Sequence, residues 1–334
     1  MQVLKFGGSS VGSEKAIGSV VEIVAQSLQN KSCIVVVSAM QGVTDQLLML
    51  AQTAAQGNEA YKTIIENIEQ KHLDIVRTLL PIQQQSATLS IVKQLINEIE
   101  ANCEGLFMLK ELSPRMKDKI VCYGELLSSK IIAATFAAKG INQQWVDARE
   151  LIKTDSNFLN AVVDKELTYK TIQDYFKNPA NAFDLYIEPG FISSDKEGNT
   201  TTLGRGGSDY TGAIFAAALD AERLEIWTDV SGMMTADPRM VHNEKEIPKI
   251  SYQEAKELSH FGAKIIYPPT ILPVMQANIP LWIKNTFEPE HPGTLIENES
   301  PKDISVIRGI SSIKDICLFH RDIFLVEFDF IFNS

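Results

Sequence analysis

Apolar and polar positions alternate between two patterns along this chain, short unbroken apolar runs and longer stretches with helical spacing. Val3 to Phe6 is a strand-length run that ends in Gly7-Gly8-Ser9-Ser10. From Ser13 to Leu28, the apolar residues Ile17, Val20, Val21 and Val24 recur at helical spacing and predict an amphipathic helix. Cys33-Ile-Val-Val-Val-Ser38 follows, a β-branched run of the kind buried on both faces of a parallel sheet. Strand, helix, strand in this form predicts a βαβ unit and an α/β fold.

Residues 44–112 read as mostly helical, interrupted at Pro81, and form a helical insertion after the second strand. His72 lies in it and is expected on its solvated surface. A further helix is expected from Leu126 to Ala138, with Glu125 at its start. Strands are expected over Ile141–Val146, Asp184–Ile192, Arg223–Val230 and Leu281–Thr286, with a hairpin turn at Asp195-Lys-Glu-Gly198. Ser251 and Glu254 have the spacing of a capping box at a helix start.

The most distinctive stretch is Thr201-Thr-Leu-Gly-Arg-Gly-Gly-Ser-Asp-Tyr-Thr-Gly-Ala213. Three glycines open a helix that Ser208 or Asp209 is placed to cap. Such a turn leaves backbone N–H groups free, and the helix dipole favours an anion there. Arg205 adds a planar fork suited to a carboxylate or phosphate, and Asp209 could orient a cation. A tight turn before an ordinary capped helix is the alternative reading of the glycines.

Ligands of open α/β sheets bind at the carboxyl ends of strands. Gly7, Gly8 and Ser9, then Ser38 to Thr44, then Thr228 and Asp229 all occupy that place. A backbone cradle for phosphates, with Lys5 neutralising a transferring group, is one reading, and a strand-end turn with Lys5 at a solvated edge is the other. Glu125 fits either a dipole-stabilised helix start or a receptor for a substrate ammonium group. Asp237 and Arg239 are candidates for ribose and phosphate, although Asp237-Pro238 is also a turn initiator, and Lys264 can reach a phosphate.

Composition narrows the function classes. The chain has 334 residues, a net charge of −11, and 45% hydrophobic and 22% charged residues. That balance argues against nucleic-acid binding, which needs a basic face. No run is expected to cross a membrane, and the short, glycine-interrupted N-terminus does not read as a signal peptide. Cys33, Cys103, Cys122 and Cys317 lack metal-ligand spacing and read as reduced, mostly buried thiols, so a cytoplasmic protein is expected.

Five of these stretches taken together resemble the motif set of aspartokinases, members of the amino acid kinase superfamily. They are Lys5-Phe-Gly-Gly-Ser-Ser-Val11, Leu203-Gly-Arg-Gly-Gly-Ser-Asp-Tyr210, Trp227-Thr-Asp-Val230, Asp237-Pro-Arg239 and Phe261-Gly-Ala-Lys264. Ser251-Tyr-Gln-Glu-Ala255, Ile283-Lys-Asn-Thr286 and Arg308-Gly-Ile-Ser311 look closest to the kinase part of bifunctional aspartokinase–homoserine dehydrogenases. The resemblance implies a three-layer αβα sandwich with a mainly parallel central sheet. It implies ATP-dependent phosphorylation of the L-aspartate side-chain carboxylate, at the head of lysine, threonine and methionine synthesis.

By the same resemblance, Lys5 and Asp209 are catalytic, Asp209 by orienting groups such as Lys5. Ser38, Thr44, Glu125, Arg205, Gly207 and Ser208 form the aspartate pocket. Lys5, Gly7, Gly8, Ser9, Thr228, Asp229, Met234, Asp237, Arg239 and Lys264 hold the nucleotide, with Met234 standing where the family usually has Tyr. Mg2+ bridges the phosphates, and no motif names a protein ligand for it. A homodimer is expected.

The kinase domain is expected over residues 1–298 and a C-terminal tail over 299–334. The apolar, aromatic tail reads as a remnant of a truncated ACT regulatory domain, an added strand or a dimer contact. Lysine and threonine are therefore not expected to inhibit through a complete ACT pair. A sister kinase for glutamate, acetylglutamate or a nucleotide monophosphate, a non-catalytic regulatory subunit and a dinucleotide-dependent dehydrogenase are the competing readings. The last is disfavoured by the absence of GxGxxG after the first strand.

Overall fold

The computed structural model describes residues 1–29, 31–236, 241, 244–260, 266–299 and 309–310. The chain opens with β1 (Gln2–Phe6), α1 (Glu14–Leu28) and β2 (Cys33–Val37). The helical insertion is α2 (Val43–Ala55), α3 (Tyr61–Leu79), α4 (Ile82–Leu109), α5 (Pro114–Val121) and α6 (Tyr123–Ala138). Next come β3 (Gln143–Trp145), α7 (Ala148–Leu151), α8 (Lys165–Lys177), β4 (Leu185–Pro189) and the hairpin β5 (Ile192–Ser194) with β6 (Thr200–Thr202). The last part holds α9 (Gly207–Ala218), β7 (Leu224–Thr228), β8 (Met233–Met234), β9 (Glu246–Ile247), β10 (Lys249–Ser251), α10 (Tyr252–His260), α11 (Leu272–Gln276), β11 (Leu281–Asn285) and β12 (Thr294–Glu297).

Eight strands form one sheet in the order β10-β12-β11-β7-β1-β2-β4-β3, and every pairing is parallel except β11 with β12. All five residues of β1, β2 and β4 are buried, as a sheet covered on both faces requires. Register shows which helices cover which face. Tyr186 and Glu188 of β4 point toward α8 and α9, and the Tyr186 ring lies 4.6 Å from Phe176 of α8. Ile187 and its neighbour Trp145 point the other way, where the Trp145 indole N–H donates to Ser129 of α6 at 3.0 Å. The expected αβα layering is therefore present.

β1 lies between β2 and β7, so the chain leaves it in opposite directions along the sheet. A crevice opens at such a reversal, outside the carboxyl ends of the strands. The Gly7 turn, the loop after β2, Gly190 after β4 and Thr228 at the end of β7 all stand there.

Three expectations need correction. His72 is fully buried within the insertion, where its Nδ1 lies 2.6 Å from the Ile68 carbonyl and burial pushes its pKa down to about 4. The stretch 184–192 is not one strand. It breaks at Gly190 and Phe191, where Phe191 turns to φ 68°, so that Ile192 leaves the sheet for the hairpin with β6. A helical run from Pro114 to Ala138 does reach membrane-spanning length and apolarity, but 83% of its apolar window is packed inside the protein.

Candidate active site

A cavity of about 420 Å³ opens at the carboxyl ends of β1 and β2 and the N-terminus of α9. Lys5 reaches it from inside β1 because its Cβ passes over Gly212 of α9, where a Cβ would lie only 3.4 Å away. The ammonium emerges beside Asp209, 2.5 Å from Oδ1. The contact is an ion pair rather than a well-directed hydrogen bond. Both side chains are largely buried, which strengthens the attraction relative to a surface pair.

α9 begins differently from the sequence expectation. Its N-cap is Gly206 at φ 70°, not Ser208 or Asp209. That left-handed backbone suits glycine, and a Cβ there would come within 2.9 Å of both Tyr267 Cβ and Thr270 Cγ2. Starting the helix at Gly207 puts Ser208 and Asp209 in its first turn. No hydrogen bond among the described residues takes up their backbone N–H groups, and both residues line the cavity. Two free N–H donors at the positive end of a helix favour an anion.

The opposite wall comes from the loop after β2 and from α6. Ser38 is held through its carbonyl by the Ser128 hydroxyl at 2.7 Å. The Gln41 N–H donates to Gly8 at 3.0 Å, and its carbonyl accepts from Lys71 of α3 at 2.7 Å. Glu125 stands in the first turn of α6, 3% exposed, with Oε2 unpartnered. Burial pushes its carboxyl up to about 8, against the opposing pull of the Ala39 and Glu125 N–H groups and of Lys5. An unpartnered buried carboxylate facing a cavity is a ready receptor for a cation.

Of the expected site residues, Lys5, Gly8, Ser38, Thr44, Glu125, Gly207, Ser208 and Asp209 line this one cavity. Gly7 lies beside it, its N–H donating to Trp227 at 3.0 Å, and the next residue on that strand, Thr228, donates from Oγ1 to Asp229 at 3.2 Å. This places Thr228 and Asp229 on the β7 side of the Gly7 turn, while the Ser9 carbonyl accepts from the Gly12 N–H at 3.5 Å within that turn. Met234 sits in β8, half-buried and paired with Glu246. Arg205 does not line the cavity. It is exposed, with its guanidinium 5.5 Å over the Tyr267 ring. Asp237, Arg239 and Lys264 lie outside the described residues.

Sequence reasoning missed Asp45 and Phe191 on the cavity wall, and Ser10, whose buried hydroxyl lies 2.7 Å from Thr286 and 3.2 Å from the Trp227 carbonyl. Ser10 follows directly on the glycine turn, and that position was the available signal. Among the described residues, no three His, Cys, Asp or Glu side chains converge to hold a metal.

The sequence profile of the amino acid kinase family matches residues 1–285. The chain is 34% identical over 326 residues to a bifunctional aspartokinase/homoserine dehydrogenase of Buchnera aphidicola, covering 96% of this chain and 39% of that protein. It is 35% identical over 304 residues to the lysine-sensitive aspartokinase 3 of Escherichia coli, covering 89% and 64%. The chain thus spans between about two fifths and two thirds of the length of these relatives. Its structure is similar to that of E. coli aspartokinase III in complex with aspartate and ADP, with a TM-score of 0.83 at 32% identity, covering 90% of this chain and 65% of the other. It is also similar to Clostridium acetobutylicum aspartate kinase, with a TM-score of 0.76 at 31% identity, covering 93% and 66%.

Proposed function

The chain belongs to the amino acid kinase family, and from that membership we propose that it is an aspartate kinase, transferring the γ-phosphoryl group of ATP to the side-chain carboxylate of L-aspartate. The observation that carries the proposal is a single cavity with an embedded cation, Lys5, at one end and an unpartnered buried carboxylate, Glu125, on its wall. A substrate for it carries both an anionic acceptor group and an ammonium group. Similarity to a structure holding aspartate and ADP supports the same assignment.

In this mechanism Glu125 receives the substrate ammonium group. Arg205 turns from Tyr267 to bind the α-carboxylate. The side-chain carboxylate is already ionised at neutral pH, so no general base is needed. Its oxygen attacks the γ-phosphorus as the bond to the leaving oxygen of ADP breaks. Lys5, held by Asp209, neutralises the charge on the transferring group. The free N–H groups of Ser208 and Asp209 add to that field. The nucleotide runs from the Gly7–Gly8 turn toward Thr228 and Asp229. Magnesium would travel with the phosphates and screen their charge, and no residue of the chain is assigned to it.

The test is hydroxylamine trapping of the acyl phosphate across a substrate panel. L-Aspartate is expected to give product with ATP. N-Acetyl-L-aspartate, which has no ammonium group for Glu125, is not. Equal turnover of the two, or preference for glutamate, N-acetylglutamate or a nucleoside monophosphate, would refute the assignment.

A further inference from the structure

Asp118 is a fully buried carboxylate that does not line the cavity, yet it accepts three hydrogen bonds. Its Oδ2 accepts from the Leu159 N–H at 2.9 Å and from the Thr202 N–H at 3.1 Å. Its Oδ1 accepts from the Thr202 hydroxyl at 2.6 Å. Burial pushes its carboxyl up, and these three donors hold it down. Hydrogen bonds to a charged acceptor are the strong ones, so this is a stiff joint.

The joint grips two segments that meet at the glycine-rich loop. Leu159 sits at φ 74°, a backbone region unfavourable for a side-chain-bearing residue. Its N–H is held there by Asp118. Beside it, Asn160 Oδ1 and the Leu159 carbonyl lie 2.5 Å and 3.3 Å from the point where Gly204 would carry a Cβ. This pair forms one wall of the slot in which Gly204 stands. Thr202 ends β6, one residue before the loop, and its carbonyl also accepts from the Ala161 N–H at 2.9 Å. Both its backbone N–H and its carbonyl are thus tied down.

Asp118 belongs to α5, which runs into α6, and Glu125 stands in the first turn of α6. One short helical pair therefore carries the ammonium receptor and anchors the loop bearing Arg205. We propose that Asp118 is a positioning residue for the amino-acid pocket, setting through Thr202 and Leu159 the distance between Glu125 and the Gly204–Gly206 loop with the first turn of α9. The helical insertion then acts as a ruler for substrate length. This rests on the aspartate kinase reading for its kinetic consequence and on geometry alone for its structural one.

Asp118→Asn and Thr202→Val test it, the second removing only the 2.6 Å bond. Asp118→Asn is expected to raise KM for aspartate about tenfold and Thr202→Val about threefold, with KM for ATP changed less than about twofold in each. In an Arg205→Ala background, Thr202→Val should add less than about twofold, because the effect acts through Arg205. Hydrogen exchange of the ligand-free protein should quicken about tenfold at residues 203–209 and stay unchanged in β1. Equal rises in both KM values, full additivity with Arg205→Ala, or unchanged exchange at 203–209 would overturn the proposal. Should Asp118→Asn not fold, Thr202→Val decides alone. Should the wild type not phosphorylate aspartate, the functional reading fails and the exchange result still decides whether Asp118 sets the loop.

Discussion

Replacing Glu125 with Gln should stabilise the empty protein and damage the substrate site, and the size of the first effect follows from the structure. The Glu125 carboxyl is raised from 4.5 to about 8, mainly by burial. The unfolded chain ionises near the lower value. Between the two, the folded state keeps a proton that the unfolded state has lost. Stability from this group is thus complete below pH 4.5 and disappears as pH rises through 8. The slope is about 1.4 kcal/mol per pH unit, which amounts to roughly 3 kcal/mol at pH 7. Glu125 is 3% exposed, so solvent screening takes little from that figure. Glutamine matches the protonated acid in shape and does not titrate. Urea unfolding of both proteins from pH 5 to pH 8 should show curves that diverge with pH in favour of Gln. The same residue links substrate binding to protons. At pH 7 the empty site holds its proton, and an ammonium group must displace it. Calorimetry in buffers of different ionisation enthalpy should record close to one proton released, and KM for aspartate should fall from pH 6 to 8. A stability difference flat in pH, or binding without proton release, would refute this reasoning.

Lys5→Met should lower kcat about a hundredfold to a thousandfold while the far-ultraviolet circular dichroism stays that of the wild type; near-normal turnover would remove Lys5 from the mechanism. Gly206→Ala should cost about 1–3 kcal/mol in urea unfolding, since it combines an unfavourable φ with collisions against Tyr267 and Thr270. Its control is Gly18→Ala, in mid-helix with open space around it, which should stabilise by about 0.5–1 kcal/mol. Glu188→Leu should raise stability by about 1–3 kcal/mol, because both Glu188 oxygens are buried without a partner. That gain should grow with pH, as burial, then Asp147 and Glu150, hold the carboxyl well above its usual range; a constant gain across pH 5 to 8 would contradict the assignment.

The sheet was legible wherever burial on both faces left an unbroken apolar run, as in β2, and the insertion wherever helical spacing persisted. The capping box also stands as read, with the Ser251 N–H donating to Glu254 at 2.9 Å and the Glu254 N–H to Ser251 at 3.2 Å. Local pattern failed where distant residues decide. His72 reads as polar, and only the neighbouring helices make it interior. Ser208 reads as a cap, but α9 is capped at Gly206, a position that Tyr267 and Thr270, some sixty positions on, leave no room for a Cβ. For the site, residue types at strand ends were readable because chemistry restricts them. The resting place of Arg205 over Tyr267 and the joint at Asp118 were not, since both depend on contacts across tens of residues.

The position of β1 has a consequence for how the chain is made. Its partners β2 and β7 begin at Cys33 and Leu224, so one flank can close soon after β1 is made and the other waits for about 190 further residues. At ribosomal speeds of about 5–20 residues per second, that interval is on the order of ten to forty seconds. Throughout it, the nascent molecule presents an unpaired apolar border, the kind that invites pairing with other chains. Lys5 is made about 200 residues before Asp209, so their ion pair forms only near the end of that wait, and occupancy by substrate cannot rescue an early intermediate.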